Sequence, residues 1–203
     1  MRKLLAVALC LVGLSGCTSK DSGSGREGQP DPLAAHTSCT FADGLQVAAV
    51  DRLPASVHSR RISFPDGSRN VSLVDGYRVM FSYPPDDYFA NLKVELSVPA
   101  EYSSDRKLIL RQMELLAQEG DRLPLEQREF HGYDLYAVHR ATITDANVLS
   151  MYSMFQERDR KIVTVYFLTG DPARRRFQTI EEHKRMRERF LEEYFTCIEK
   201  RGG

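Results

Sequence analysis

The side chains of this sequence that are most able to do chemistry belong to five histidines and four cysteines. A zinc site needs three or four converging ligands, and the spacing of these residues shows no such motif. The phosphate loops, nucleophile motifs and metalloprotease motifs of common enzyme classes are absent as well. We therefore expect a protein that is not an enzyme and uses no metal or cofactor. The alternative, a catalytic site built on a histidine base, has only scattered candidates: His36, His58, His131, His139 and His183.

The stretch that ends at Cys17 has the most distinctive pattern in the sequence. Two basic residues are followed by eleven mostly apolar residues, 4–14, and then by two small residues. A helix needs about 20 residues to cross a bilayer, so this apolar run is too short to do so. A short apolar run between basic and small residues is typical of a cleavable export signal. The sequence therefore predicts that residues 1–16 are a signal peptide.

The last four residues of this stretch, Leu14-Ser15-Gly16-Cys17, resemble the lipobox of bacterial lipoproteins. The resemblance implies cleavage after Gly16 and a diacylglyceryl thioether on Cys17, and more than one acyl chain gives stable membrane anchoring. In Gram-negative lipoproteins a residue such as Thr18 after the cysteine implies transfer to the outer membrane, facing the periplasm. The alternative is an ordinary secretory signal in which the cysteine occurs by chance.

Composition divides the remaining chain into a tether and one domain. Residues 17–38 combine serine, glycine, proline and charged residues, which favours a flexible tether of about 25 Å between the lipidated cysteine and the domain. Residues 39–203 are expected to form a single domain. Loss of residues 1–16 removes two of the 28 basic residues and none of the 28 acidic residues, which leaves a net charge of −2. This balance argues against nucleic acid as a partner.

The two cysteines that remain after export and lipidation, Cys39 and Cys197, lie near the two ends of the domain. Exported compartments permit disulfides, and two cysteines allow one pairing. We therefore expect a Cys39–Cys197 bridge that ties the first segment of the domain to its last helix. The alternative is a pair of buried free thiols.

The order of the predicted elements indicates an α+β domain, in which two helices accompany an antiparallel sheet and the long C-terminal helix packs on that sheet. Asp75-Gly76 is the strongest hairpin signal. Residues 161–168, KIVTVYFL, are apolar on both faces, which favours a central strand. The first helix is expected over 104–119, and the strands over 61–64, 71–74, 77–83, 91–98, 128–130, 133–143, 147–155 and 161–168.

The last helix is expected to begin at the capping box formed by Thr179 and Glu182. One half of the helix is apolar and the other half carries charges of both signs, as in a helix packed on a sheet. His183 and Arg187 interrupt the apolar half. Arg187 either lies at the flank with its stem packed or faces a ligand.

Two groups of residues are candidates for binding a partner. Arg174, Arg175 and Arg176 form a basic loop before the last helix, which could meet an acidic partner, a phosphate or lipid headgroups. Tyr133, Tyr136 and Tyr152 are expected on the sheet, and tyrosine and arginine are favoured at interfaces. The alternative for the loop is a solvated connection without a partner.

The element order also resembles the PsbP-like and DcrB-like group of small domains, some of which are bacterial lipoproteins. The resemblance implies a non-catalytic binding or accessory domain, anchored to the membrane by lipid, with an envelope protein or lipid as its partner. Residues 39–56 resemble immunity lipoproteins of secreted lipases, which gives a second hypothesis: a lipoprotein that inhibits a toxin effector in the periplasm. An enzyme is the third hypothesis.

The lipobox interpretation predicts that Cys17→Ala abolishes palmitate labelling and releases the protein from the membrane, because position 17 would lose the thiol that carries the lipid. Metabolic labelling and membrane fractionation measure both effects. A Cys17→Ala protein that is still labelled and still sediments with membranes would contradict the interpretation.

Overall fold

The computed structural model describes residues 33–53, 59–143 and 147–201. The predicted signal peptide, Cys17 and the first part of the predicted tether lie outside the described residues. Among the helices of these described ranges, none has the length and apolarity needed to cross a membrane.

Described residues form one antiparallel sheet of eight strands and two α-helices, which confirms the predicted α+β class. Two short 3-10 helices, Ala34–Thr37 and Ala42–Gly44, precede the first strand. The other elements are β1 Gln46–Arg52, β2 Ser59–Phe64, β3 Gly67–Tyr83, β4 Asp87–Ser97, α1 Tyr102–Ala117, β5 Glu126–Phe130, β6 Tyr133–His139, β7 Val148–Gln156, β8 Lys161–Leu168 and α2 Ile180–Lys200. The strand order in the sheet is β1-β3-β4-β8-β7-β6-β5, and β2 pairs with β3 beside this path.

The apolar segment KIVTVYFL forms the central strand β8, as predicted. It pairs with β4 on one side and β7 on the other. Its odd-numbered apolar residues Val163, Val165 and Phe167 are fully buried in the core beneath α2, whereas Ile162 is fully buried in the core beneath α1. Because both faces of β8 are covered, neither face is exposed to solvent, and this explains why apolar and polar residues do not alternate in its sequence.

Helix α2 packs its apolar half on the sheet. Thr179 and Glu182 form the predicted capping box, in which each side chain bonds the backbone of the other residue. Phe190, Tyr194 and Phe195 are almost completely buried against the sheet. Helix α1 occupies the opposite face with β2, and its buried side chains include Ile109 and Met113.

The predicted hairpin at Asp75-Gly76 is wrong, because both residues lie inside the continuous strand β3. The tight turn lies instead between β2 and β3, where Phe64 pairs with Gly67. A bulge between Leu73 and Asp75 interrupts the pairing of β3 with β4. A side chain at position 76 would place its Cβ 2.8 Å from the carbonyl oxygen of Val94. Gly76 is therefore required by the close approach of two strands rather than by a turn.

The packed part of the chain begins before the predicted start at Cys39. Leu33 is fully buried, and Nδ1 of the buried His36 lies 2.5 Å from the hydroxyl oxygen of Tyr194 on α2. Residues 33–38 of the predicted tether therefore pack against the domain. Cys39 and Cys197 form the predicted disulfide, with 5.9 Å between their Cα atoms.

The disulfide should stabilise the fold, because it closes a loop of 158 residues in the unfolded chain. Replacing both Cys39 and Cys197 by serine should lower the free energy of unfolding by about 2–5 kcal/mol. Urea unfolding measures this loss. A reductant should lower the free energy of unfolding of the natural protein by a similar amount and leave that of the double variant unchanged. An equal urea midpoint for both proteins without reductant would contradict the prediction.

Candidate functional site

The three arginines of the predicted basic loop do not act as one patch. The Nε of Arg174 lies 3.5 Å from a carboxylate oxygen of Asp171. The guanidinium of Arg175 lies 5.7 Å from the ring centre of Phe177. The guanidinium of Arg176 turns in another direction and lies 4.4 Å above the ring of Tyr83.

Arg176 lines a surface cleft of about 720 Å³ between the first half of α2, the end of β3 and the loop before β1. We call this cleft the arginine cleft, because three guanidinium groups from two segments of the chain border it. Its volume is in the range typical of ligand sites, about 300–1,000 Å³. The residues that line it are Asp43, Tyr83, Arg176, Glu182, Arg185, Met186 and Arg189.

Both carboxylates of the arginine cleft are already engaged. Glu182 accepts hydrogen bonds from the backbone N–H groups of Gln178 and Thr179, and these bonds lower the pKa of its side chain. Asp43 forms an ion pair with Arg189. Both acids keep their charge, so the three guanidinium groups and two carboxylates of the lining leave a net charge of +1 for an incoming ligand.

Two of the three guanidinium groups remain open to a ligand, although the charge of Arg185 also acts on the Glu182 carboxylate and lowers its pKa. The side chain of Arg185 has no hydrogen bond or ion pair to any described residue, and its residue is exposed. Arg176 stacks on Tyr83 and donates one long hydrogen bond, 3.4 Å, to the carbonyl oxygen of Asp43. Guanidinium groups bind carboxylates and phosphates through paired N–H donors, so the cleft suits an anionic group.

The three predicted tyrosines do not form a binding face. Tyr133, Tyr136 and Tyr152 are all buried, with exposed fractions of 4%, 9% and 0%. Tyr133 and Tyr136 lie three positions apart on β6, and neighbouring strand positions point to opposite faces. Tyr133 and Tyr152 therefore pack beneath α2, and Tyr136 packs beneath α1. These side chains belong to the core, which corrects the expectation that they meet a partner.

Arg187 lies inside the interface between α2 and the sheet, rather than at the helix flank. Its Nη1 donates to the hydroxyl oxygen of Ser150 over 3.0 Å. Because that oxygen accepts from Arg187, Ser150 directs its own proton to Nδ1 of His139, 3.0 Å away. The other ring nitrogen of His139 then donates to Glu126 over 3.3 Å. The result is a directed chain of hydrogen bonds from α2 to the edge strand β5.

The chain Arg187–Ser150–His139–Glu126 contains the residue types of a serine-hydrolase relay, but its environment suits a structural role. Ser150 is only 1% exposed. Burial, with a further contribution from Arg187, lowers the pKa of His139 to about 3. A general base works best when its pKa is near the operating pH. His139 is therefore a weak base for activating the buried Ser150.

His183, which interrupts the apolar half of α2, is also buried. It is fully buried against Phe177, Phe89 and Phe167, and neither ring nitrogen has a hydrogen-bond partner among the described residues. Burial and the neighbouring charge of Arg187 lower its pKa to about 3. His183 therefore remains neutral at physiological pH and does not face a ligand.

The sequence analysis missed Asp43, Arg185 and Arg189 as cleft residues. The two arginines lie four positions apart on the polar half of α2, a spacing that puts them on one side of the helix. No sequence signal shows that residues 42–44 reach this side. Asp43 and Gly44 both adopt left-handed backbone conformations, with φ of 61° and 75°, and this turn brings the Asp43 carboxylate to Arg189.

Within the described ranges, no group of three or more histidine, cysteine, aspartate and glutamate side chains is placed to hold a metal ion. Comparison of the sequence and the structure with protein-family models, curated proteins and solved structures found no match. The proposals below therefore depend on the residues and geometry of this chain.

The lowered pKa of His183 should make stability depend on pH. The unfolded histidine takes up a proton below about pH 6.5, whereas the folded one does not until about pH 3, so acid favours unfolding across this window. His183→Leu removes this effect. When the pH falls from 7.5 to 5, the unfolding free energy of the variant should therefore rise by about 2 kcal/mol relative to that of the natural protein. Urea unfolding at both pH values measures the gain.

His131→Gln is the matched control, because the pKa of His131 is shifted in the opposite direction. Burial lowers this pKa, but hydrogen bonds to Glu199 and Glu192 outweigh burial and raise it. The stability that His131 provides is present below pH 6.5 and is lost as the pH rises through the raised pKa. His131→Gln should thus weaken the protein more at pH 6 than at pH 8.5. The same pH dependence in the natural protein and in His183→Leu would contradict the assignment for His183.

Proposed function

We propose that this protein is a lipid-anchored, non-enzymatic binding module of the bacterial envelope, which captures an acidic segment of a partner protein in the arginine cleft. The observation that carries the proposal is the state of charge in the cleft. Arg176 and Arg185 face the same space, while the carboxylates of Asp43 and Glu182 are held by other groups. An acidic side chain that enters the cleft therefore meets two guanidinium groups.

The remaining lining of the cleft supports a protein ligand. Tyr83 provides a buried aromatic floor that holds the Arg176 guanidinium in place. Met186 adds a flexible apolar surface, of a kind that adapts to different partners. Aromatic residues, methionine and arginine are the types enriched in protein interfaces. The cleft thus combines charge recognition with contact for the apolar parts of a peptide.

Lipid anchoring makes modest affinity sufficient. Exposed ion pairs contribute only about 0–1 kcal/mol each, so two arginines alone give weak binding. An anchor at Cys17 would confine the module to the surface where an envelope partner is also held, and this confinement raises the effective concentration of each for the other. The lipobox resemblance and the charge of the cleft together favour a partner in the same envelope, in the outer membrane facing the periplasm.

The candidate bases among the described residues suit binding without turnover. The buried relay residues Ser150 and His139 have their hydrogen bonds occupied, and the pKa of His139 is about 3. The arginine cleft itself offers cations, Tyr83 and two engaged carboxylates. Burial raises the pKa of Tyr83 above its usual value. The phenol therefore stays protonated at neutral pH and does not act as a base.

A second candidate is an immunity-type lipoprotein that blocks a toxin effector, for example a secreted lipase, in the periplasm. The observation that favours it is that α2, which forms one wall of the cleft, is held at both of its ends. The capping box fixes the start of α2, and the Cys39–Cys197 disulfide ties its last turns to the segment before β1. A preorganised surface loses little entropy on binding, which an effective inhibitor requires. A toxin gene beside this gene would favour this candidate over an envelope partner.

Charge reversal in the cleft tests the binding proposal. The double variant Arg176→Glu and Arg185→Glu should reduce capture of the partner from detergent-solubilised envelopes by at least about tenfold, which corresponds to about 1.4 kcal/mol. Its melting temperature should change little, because both side chains lie at the surface. Quantitative pull-down and thermal unfolding measure the two effects.

The matched control is Arg158→Glu with Arg174→Glu, which makes the same change in net charge at exposed arginines paired with Asp159 and Asp171. Capture should be retained in this control. Equal losses in both double variants would show that net charge, rather than the cleft, governs capture, and unchanged capture in the cleft variant would remove the cleft from the proposal. Hydrolysis of lipid, peptide or glycan by the pure protein would overturn the non-enzymatic function.

A further inference from the structure

A second, smaller pocket lies near the C-terminal end of α1, where this helix crosses the ends of β6 and β7. We call it the apolar pocket. It has a volume of about 200 Å³ and is separate from the arginine cleft, with which it shares no lining residue. Its walls are Leu116, Arg122, Val138, His139, Arg140, Val148, Leu149, Ser150, Met151 and Tyr166.

The apolar pocket is partly open to solvent, and part of its wall belongs to the core. Leu149, Val138 and Met151 line it although their exposed fractions are only 1%, 4% and 6%. A bulge between Val148 and Ser150 interrupts the pairing of β7 with β8 at this point. Bulges bend the strand and re-aim side chains, and they occur often beside functional sites. The irregular backbone and the buried lining together define a depression suited to a small ligand.

The two charged residues of the apolar pocket are already paired. Arg140 is bonded to Asp121 over 2.5 Å and to the carbonyl oxygen of Val148 over 3.3 Å. Arg122 donates to the carbonyl oxygen of Leu116 over 3.0 Å and pairs with Glu119 over 3.3 Å. Each cation therefore has its own carboxylate, so the rim favours neither an anion nor a cation.

Two further lining residues, Ser150 and His139, bond to each other, and Ser150 also accepts from Arg187. His139 donates its remaining proton toward Glu126. These bonds occupy the polar atoms of both side chains. The rest of the lining offers contact with apolar side chains and with Tyr166.

We propose that the apolar pocket binds a small uncharged molecule with an alkyl or aryl body of about six or seven carbon atoms. The size follows from the volume, because an apolar cavity of about 150 Å³ admits benzene. The neutrality follows from the paired rim and from the cost of burying a charge without a partner. A ligand that binds only the folded state shifts the equilibrium toward it, so occupancy also stabilises the domain.

Methionine methyl groups report on both candidate sites in one experiment. Met151 lines the apolar pocket and Met186 lines the arginine cleft. The exported chain carrying Cys17→Ala avoids the detergent that a lipidated protein needs and that would itself enter an apolar pocket. With ¹³C-methyl methionine, 1-hexanol and benzene should shift the Met151 resonance saturably and leave the Met186 resonance in place. The same probes should raise the melting temperature.

Hexanoate and hexylammonium, which carry the same chain with a charge, test the neutrality of the ligand. Each should bind at least about tenfold more weakly than 1-hexanol, because its charge would be buried beside ion pairs that are already complete. Tighter binding of hexanoate than of 1-hexanol would overturn the proposed ligand class in favour of a carboxylate.

Val138→Phe tests the location, because the larger side chain fills the apolar pocket from the sheet side. It should abolish the shift of Met151. Leu116→Phe fills the same space from α1 and replaces this variant if Val138→Phe loses its cooperative unfolding transition. An absent shift in the natural protein up to the solubility of both neutral probes, an equal shift of Met186, or an undiminished shift in a folded filled variant would each overturn the proposal. This outcome is independent of partner capture by the arginine cleft.

Discussion

Helix α2 packs Phe190, Tyr194 and Phe195 on one face of the sheet, and the remaining features of the described chain depend on that contact. The same interface buries a positive charge, Arg187, which is tolerated because Ser150 accepts its hydrogen bond and Glu188 lies 3.5 Å away. A buried charge with set partners admits few alternative positions of the helix. The packing therefore determines both where α2 lies and which of its faces is exposed to solvent.

The position of α2 determines where the candidate site forms. With the apolar half against the sheet, Arg185 and Arg189 project from the opposite half toward the loop that carries Asp43. The disulfide and the contact between His36 and Tyr194 hold the segment before β1 along the second half of the same helix. One helix thus forms both a wall of the arginine cleft and the contact with the segment before β1.

Sequence patterns of local origin predicted the structure well, and patterns that depend on distant neighbours did not. The capping box and the apolar strand β8 each carry a local signal, and the structure confirms both. The disulfide is the exception, because its cysteines are 158 residues apart and it was predicted from the number of cysteines that remain after export and lipidation. The Asp75-Gly76 turn failed because the glycine is needed for the approach of Val94, which no local pattern reveals. The cleft was missed for the same reason, since its residues come from three segments that are far apart in sequence.

The central claim is that the arginine cleft is the surface that meets the partner, and site-specific photo-crosslinking in intact cells tests it most directly. A photoreactive amino acid replaces Met186 in the cleft of the full-length protein, and a second protein carries it at the exposed position 158. The account predicts one specific adduct from position 186, none from position 158, and a crosslinked partner peptide rich in aspartate and glutamate. No adduct from position 186, or a crosslink there to a segment without acidic residues, would contradict it.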